Sequence, residues 1–156
     1  MTRGNTDMIA LGSDHAGLPL KLEIIQLLEE RGLKYLDVGT YTDASSDYPE
    51  YGRLAAEAVA DGRCTRGLVF CGTGIGISIS ANKVRGIRCA ACSDCFSAVL
   101  SRNHNDANML ALGARVVAPA YAKMIVSMWL DAGFEGGRHQ TRVDLIHKIE
   151  QEQGLE

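Results

Sequence analysis

The sequence predicts an α/β protein, a Rossmann-like three-layer α/β/α sandwich built on a five-stranded parallel sheet. Three observations predict it. Short apolar or β-branched runs alternate with amphipathic stretches from end to end, the pattern of a parallel sheet covered by helices on both faces. The apolar runs close on glycines or small polar residues, as tight strand-to-helix turns do. Glycine is also abundant and proline scarce, 17 against 3. Glycine at about 11% against a usual ~7% points to tight turns, or to backbone that approaches a ligand.

Residues 8–11 form the first strand, closed by Gly12 and the polar Ser13-Asp14-His15. A helix follows with Pro19 in its first turn, where a missing N–H costs nothing. Leu20, Ile24, Leu27 and Leu28 make its apolar stripe and Gly32 caps it. Residues 33–38 are the second strand, and 40–48 a polar loop. Over 49–61, Tyr51, Leu54, Ala55, Ala58 and Val59 mark a second helix stopped by Gly62. Residues 67–71 are the third strand, running into Gly72-Thr73-Gly74-Ile75-Gly76 and a helix to about residue 82. Residues 87–91 are a fourth strand and 96–103 a short helix. The fifth strand covers 109–112, with a possible extension to 117. Ala122, Ile125, Val126, Trp129 and Leu130 stripe a helix ending at Gly133. From about residue 141, Leu145, Ile146 and Ile149 share one face of a last helix. The preceding glycines leave that helix free to pack on a partner subunit.

At 156 residues the chain reads as one domain over 1–156, with residues 1–7 a short polar tail. Its hydrophobic content, 46%, excludes disorder. Sixteen Lys plus Arg against nineteen Asp plus Glu give a net charge of −3, so no field favours nucleic acid or anionic lipid. No apolar run approaches the ~18 residues of a membrane span. Five cysteines, an odd number, and no leader-like start predict reduced thiols and a cytoplasmic location.

In such sheets ligands bind beyond the carboxyl ends of the strands. That rule selects Asp14, His15, Asp37, the Cys71-to-Gly76 turn, Asp94 and the segment around Arg115. The glycine turn is either a plain tight turn or an anion cradle of backbone N–H groups. It lacks the third glycine of a dinucleotide fingerprint, since Ile77 stands there, and it is no P-loop. Cys71 at a strand end and helix start is placed to act as thiolate, either nucleophile or base. Cys89, Cys92 and Cys95 spell C-x2-C-x2-C, but positions three apart on a strand face opposite sides, so they read as packing residues rather than cluster ligands. His104, in the polar run 101–108, can move protons near neutrality. Arg138 and Arg142, four apart, share a face if helical and suit a phosphate or carboxylate, with Arg115 a third candidate.

These pieces resemble the ribose-5-phosphate isomerase type B family, which includes the galactose-6-phosphate and allose-6-phosphate isomerases. The resemblance covers 9–152 and rests on GSDHAG (12–17), SDYPEY (46–51), CGTGIGISISANKVRGIR (71–88), SRNHNDANMLALGAR (101–115) and EGGRHQTR (135–142). It implies an aldose–ketose isomerase that works through an enediolate without metal or other cofactor. On this chain, Cys71 would be the base between C2 and C1. Thr73 and the amides of Gly72, Thr73, Gly74, Ile75 and Gly76 would steady the enediolate oxygen. His104 would donate a proton in ring opening, with Asp14 and Tyr48 nearby. His15, Arg115, Arg138 and Arg142 would hold the phosphate, and Asn105 a sugar hydroxyl. The family also implies a homodimer, or a tetramer, whose sites are shared between subunits, the His104 segment serving a partner's Cys71.

Ribose 5-phosphate is the expected substrate. A tetrose 4-phosphate, allose 6-phosphate or galactose 6-phosphate is the alternative, decided by the loop 40–47 and the reach of the arginines. A non-catalytic phosphosugar-binding subunit would have no need of Cys71, Thr73 and His104, and a dinucleotide protein would contradict Ile77.

Overall fold

The computed structural model describes residues 7–154. The tail expected over 1–7 therefore lies, apart from Asp7, outside the described residues. In chain order the elements are β1 (Met8–Ser13), α1 (Leu18–Glu30), β2 (Lys34–Asp37), α2 (Tyr48–Ala60), β3 (Arg66–Cys71), α3 (Ile75–Ala81), β4 (Cys89–Ala91), α4 (Cys95–Asn105), β5 (Met109–Gly113), α5 (Pro119–Asp131) and α6 (Arg138–Glu152). The five strands pair in parallel in the order β2-β1-β3-β5-β4. The three-layer sandwich is as expected.

Side chains alternate across the sheet. Ile9, Leu11, Leu68, Phe70, Leu110 and Leu112 face α1, α4 and α5, around a fully buried Trp129. Ala10, Val69, Cys71, Met109 and Ala111 face α2 and α3. This two-sided burial makes the strands read as continuous apolar runs rather than polar–apolar alternation. Cys89 belongs to the second face and Cys92 packs against the first, as the period-two reading expected of the C-x2-C-x2-C run. The chain leaves β1 toward β2 on one side and returns to β3 on the other. The crevice at the β1/β3 carboxyl ends is therefore the switch point where such folds bind ligands.

Several boundaries differ from the sequence reading. β1 continues through Gly12 and Ser13, because both pair with β3, opposite Val69 and Phe70, and glycine is needed at 12 because a Cβ would stand 2.7 Å from the Tyr51 carbonyl oxygen. Tyr48 opens α2 rather than ending the loop. β4 lacks residues 87 and 88, whose amides bond to the Val84 carbonyl and to Asn108 Oδ1 instead of a strand. β5 stops at Gly113, since the amides of Val116 and Val117 both turn back to its carbonyl. Ala132 is already extended, so α5 ends without Gly133 acting as a cap. α4 runs on to Asn105 and is closed by Asp106 at φ 46°, its N–H returning to the Arg102 carbonyl. His104 and Asn105 thus sit in a helical turn, not a loop. α6 begins at Arg138, earlier than expected, and puts Arg138 and Arg142 on one helix. Its early turns pack on its own chain, burying His139 and Val143, while Leu145, Ile146 and Ile149 stay exposed.

Candidate active site

A cleft of about 540 Å³ opens at the switch point, lined by Asp14, His15, Tyr48, Cys71, Gly72, Thr73, Ile75, Gly76 and Arg115, with Ala16 and Ile79. Nine sequence-selected residues therefore meet in one place, from α2, β3 and α3 and from the loops after β1, β3 and β5. Parallel register explains it: Ser13 lies opposite Phe70 and Cys71 opposite Gly113, so the ends of β1, β3 and β5 are level.

Cys71 is buried at the last position of β3, and its Sγ accepts the N–H of Gly74 at 3.1 Å. Gly74 reaches that pose at φ 80°, pressed so closely on β5 that a Cβ would stand 2.9 Å from the Leu112 carbonyl carbon. Thr73 Oγ1 accepts the N–H of Ile75 at 3.2 Å. The loop's own bonds thus occupy the amides of Gly74 and Ile75, and the full run of amides expected over 72–76 is not free for a substrate oxygen. α3 is only seven residues long, so its dipole is a small contribution.

The walls are placed by backbone contacts. Asp14 Oδ1 accepts the N–H of Gly17 at 2.9 Å and is nearly buried. The N–H of Arg115 donates to the Gly72 carbonyl, and its guanidinium lies over Gly72, where a Cβ would come within 3.1 Å of Nη1. The Tyr48 ring packs on Gly76. Of the other strand-end carboxylates, Asp37 is held by Lys21 Nζ at 2.7 Å, and Asp94 caps α4 by accepting the Ser97 N–H. Both serve structure.

His104, Asn105, Arg138 and Arg142 do not line this cleft. α4 runs back against the strand direction, and β5 starts four residues after its end, so His104 and Asn105 stand at the amino edge of the sheet. Cys71 is at the carboxyl edge, roughly 16 Å away along a five-residue strand. At its own edge His104 stacks on His139, with ring centroids 4.1 Å apart and planes 8° from parallel. Glu135 Oε2 lies 3.7 Å from His104 Nε2 and 3.6 Å from His139 Nε2. Burial, followed by the nearby His104 and Arg138, lowers the His139 pKa and favours its neutral form. This trio has the donor types of a zinc site, its ligand atoms within 4.8 Å of one another. Imidazole lone pairs lie in the ring plane, however, so two parallel rings cannot both aim at one ion between them. A cation there would need one ring to turn.

The sequence reading missed three residues that organise these sites. Lys21 is fully buried, with Nζ donating to Asp37 Oδ1 and to the Thr40 carbonyl. Its signal was available, a lysine in register with Ile24 and Leu28 on a buried stripe. Burial lowers its pKa against the opposing pull of Asp37. His139 and Ser46 sat inside quoted motifs, but their contacts, to His104 and His15, are made across 35 and 31 residues and leave no local pattern.

Comparison with known proteins gives a consistent picture. Residues 9–146 match the family described as Ribose/Galactose Isomerase. The chain is 54% identical over 143 residues to ribose-5-phosphate isomerase B of Escherichia coli, covering 92% of this chain and 96% of that one. It is 44% identical over 152 residues to D-erythrulose-4-phosphate isomerase of Pectobacterium atrosepticum, covering 93% and 96%. Among solved structures it superposes on ribose-5-phosphate isomerase B from Clostridium thermocellum with a TM-score of 0.93 and 54% identity, covering 94% of this chain and 99% of that one.

Proposed function

The chain belongs to the ribose/galactose isomerase family, and from that premise we propose that it interconverts ribose 5-phosphate and ribulose 5-phosphate with Cys71 as the base. The observation that carries this reading is the buried Cys71 sulfur on the cleft wall, accepting the Gly74 N–H beside Thr73. In the forward direction the furanose opens to the aldehyde as the C1 hydroxyl gives up its proton and His104 donates one to the ring oxygen, with Asp14 and Tyr48 close by. The Cys71 thiolate removes the C2 proton, and the electron pair moves into the C1 carbonyl to give an enediolate. The same thiol returns the proton to C1, and transfer of the hydroxyl proton from O2 to O1 leaves the ketone at C2. Thr73 and the amides of Gly72, Thr73 and Gly76 steady the developing oxyanion. His15, Arg115, Arg138 and Arg142 hold the phosphate, and Asn105 a sugar hydroxyl.

The catalytic unit is a homodimer in which the His104 edge of one subunit completes the Cys71 cleft of the other. The opposite placement of the two groups on one sheet supports this, as does the exposed stripe of Leu145, Ile146 and Ile149 beside the His104 edge. The compartment is the cytoplasm, with five free thiols as support. Among the described residues no helix is long and apolar enough to cross a membrane.

A second reading, a tetrose 4-phosphate substrate, is favoured by the 44% identity to the erythrulose-phosphate enzyme. Comparing kcat/KM across C4, C5 and C6 aldose phosphates, with solvent deuterium incorporation at C1, separates the two. A preference for the C5 sugar is expected, with deuterium in the product, and failure on every phosphosugar would overturn the isomerase reading. Cys71→Ala should abolish ketose formation while still binding ribose 5-phosphate by calorimetry. Full turnover by that variant would remove Cys71 from its role.

A further inference from the structure

His15 and Ser46 are joined by a reciprocal pair of hydrogen bonds. The His15 N–H donates to Ser46 Oγ at 3.1 Å, and the Ser46 N–H donates to His15 Nδ1 at 3.1 Å. A backbone amide can only donate, so Nδ1 must offer its lone pair. That assigns His15 the neutral tautomer, with its proton on Nε2. An imidazolium, or the Nδ1–H tautomer, would set two N–H groups against each other and open the clasp.

The clasp closes a loop that is fixed at both ends. At the start, the Gly39 carbonyl accepts the Ser13 N–H, the Thr40 N–H donates to the Ser13 carbonyl, and Lys21 Nζ holds the Thr40 carbonyl. At the finish, Tyr48 opens α2 and packs on Gly76. Ser46 therefore reaches His15 from a defined position, and His15 shares the cleft with Thr73 and Arg115.

We propose that Ser46 is a positioning residue for the isomerase: its clasp presents His15 to the substrate phosphate as a neutral Nε2–H donor, leaving the phosphate charge to the arginines. The proposal rests on the functional reading above, which places His15 at the phosphate.

Long-range proton–nitrogen NMR of the imidazoles tests it, with His15 assigned by comparison with His15→Asn. The expected pattern is a protonated Nε2 and a bare Nδ1 near neutral pH, kept when ribose 5-phosphate is added to Cys71→Ala. Ser46→Ala removes the hydroxyl acceptor, so KM should rise about 3- to 10-fold with kcat within about twofold, the range of one lost hydrogen bond. Ser46→Thr should restore KM. Ser46→Pro removes the amide donor and should turn the His15 signals into a mixture of tautomers. An imidazolium or Nδ1–H pattern in the unsubstituted protein would overturn the proposal, as would a loss in kcat at unchanged KM in Ser46→Ala. If Ser46→Pro does not fold, the unsubstituted spectra and the alanine–threonine pair still decide. Absence of turnover on every phosphosugar would sink the functional reading instead, and the spectra report the His15 tautomer whether or not the protein turns over.

Discussion

At the scale of single residues, two glycines at the cleft separate chemistry from stability. A Cβ at Gly76 would fall 2.5 Å from Tyr48 Cζ, a ring that is partly exposed and free to swing away. A Cβ at Gly17 would fall 2.2 Å from the Phe70 carbonyl oxygen and 2.7 Å from the Cys71 amide nitrogen, backbone that has nowhere to go. Gly76→Ala should therefore displace Tyr48 and lower kcat/KM about tenfold or more with thermal stability nearly intact, since one misplaced cleft group is enough to spoil a productive pose. Gly17→Ala should cost about 1–3 kcal/mol in urea unfolding, the usual penalty for overpacking, and disturb the end of β3 that carries Cys71. Equal stability losses in both variants would contradict this division. Lys21 makes a related point. A buried lysine is tolerable because Asp37 and the Thr40 carbonyl accept its hydrogen bonds, and the result is a loop start that does not drift.

At the scale of elements, β4 and the turn after it carry a pH dependence. Cys89 lies on one face of the sheet and Cys92 packs on the other, and burial raises both thiol pKa values, that of Cys92 from 9.0 to about 11. The folded state holds these protons more tightly than the unfolded chain. Their contribution is thus fully present below pH 9 and is lost as pH rises toward the folded values. Urea midpoints should fall from about pH 9 toward about pH 11, between the ordinary and the folded Cys92 values, and fall less steeply in Cys89→Ala/Cys92→Ala. Lys21, with a lowered pKa, acts in the opposite sense, gaining stability as pH rises toward 10.5. It is common to both proteins and cancels in the comparison. Parallel slopes would show that the thiols do not titrate as their burial requires. Element ends were where sequence and structure parted. Apolar periodicity located every strand and helix, but the ends at Asn105 and Arg138 depend on backbone turns at Asp106 and Gly137 that periodicity does not register.

At the scale of the whole molecule, the fold was legible because buried parallel strands and their covering helices each leave a local signature. Most of the Cys71 half of the site was legible for the same reason, since its residues other than Tyr48, which opens α2, follow strand ends. In the other half, His104, Arg138 and Arg142 stood out by residue type and spacing and Asn105 through family resemblance, but their position on the opposite edge was not legible. Which edge a helix end occupies follows from chain direction through the sheet, not from neighbouring residues. A symmetric pair of subunits can satisfy both edges at once. Mixing Cys71→Ala with Arg138→Ala/Arg142→Ala, each inactive alone, should then restore up to about a quarter of normal activity, because random exchange gives half mixed dimers with one intact site each. No recovery after demonstrated subunit exchange would argue that each chain closes its own site.

The placement of His104 and Cys71 on opposite edges also sets how the protein behaves when scarce. On the shared-site reading proposed above, one chain alone is only half a catalyst, and the working site arises by a bimolecular event. Specific activity should accordingly collapse on dilution, recover with a lag on concentration, and make the enzyme sensitive to its own abundance as well as to its substrate.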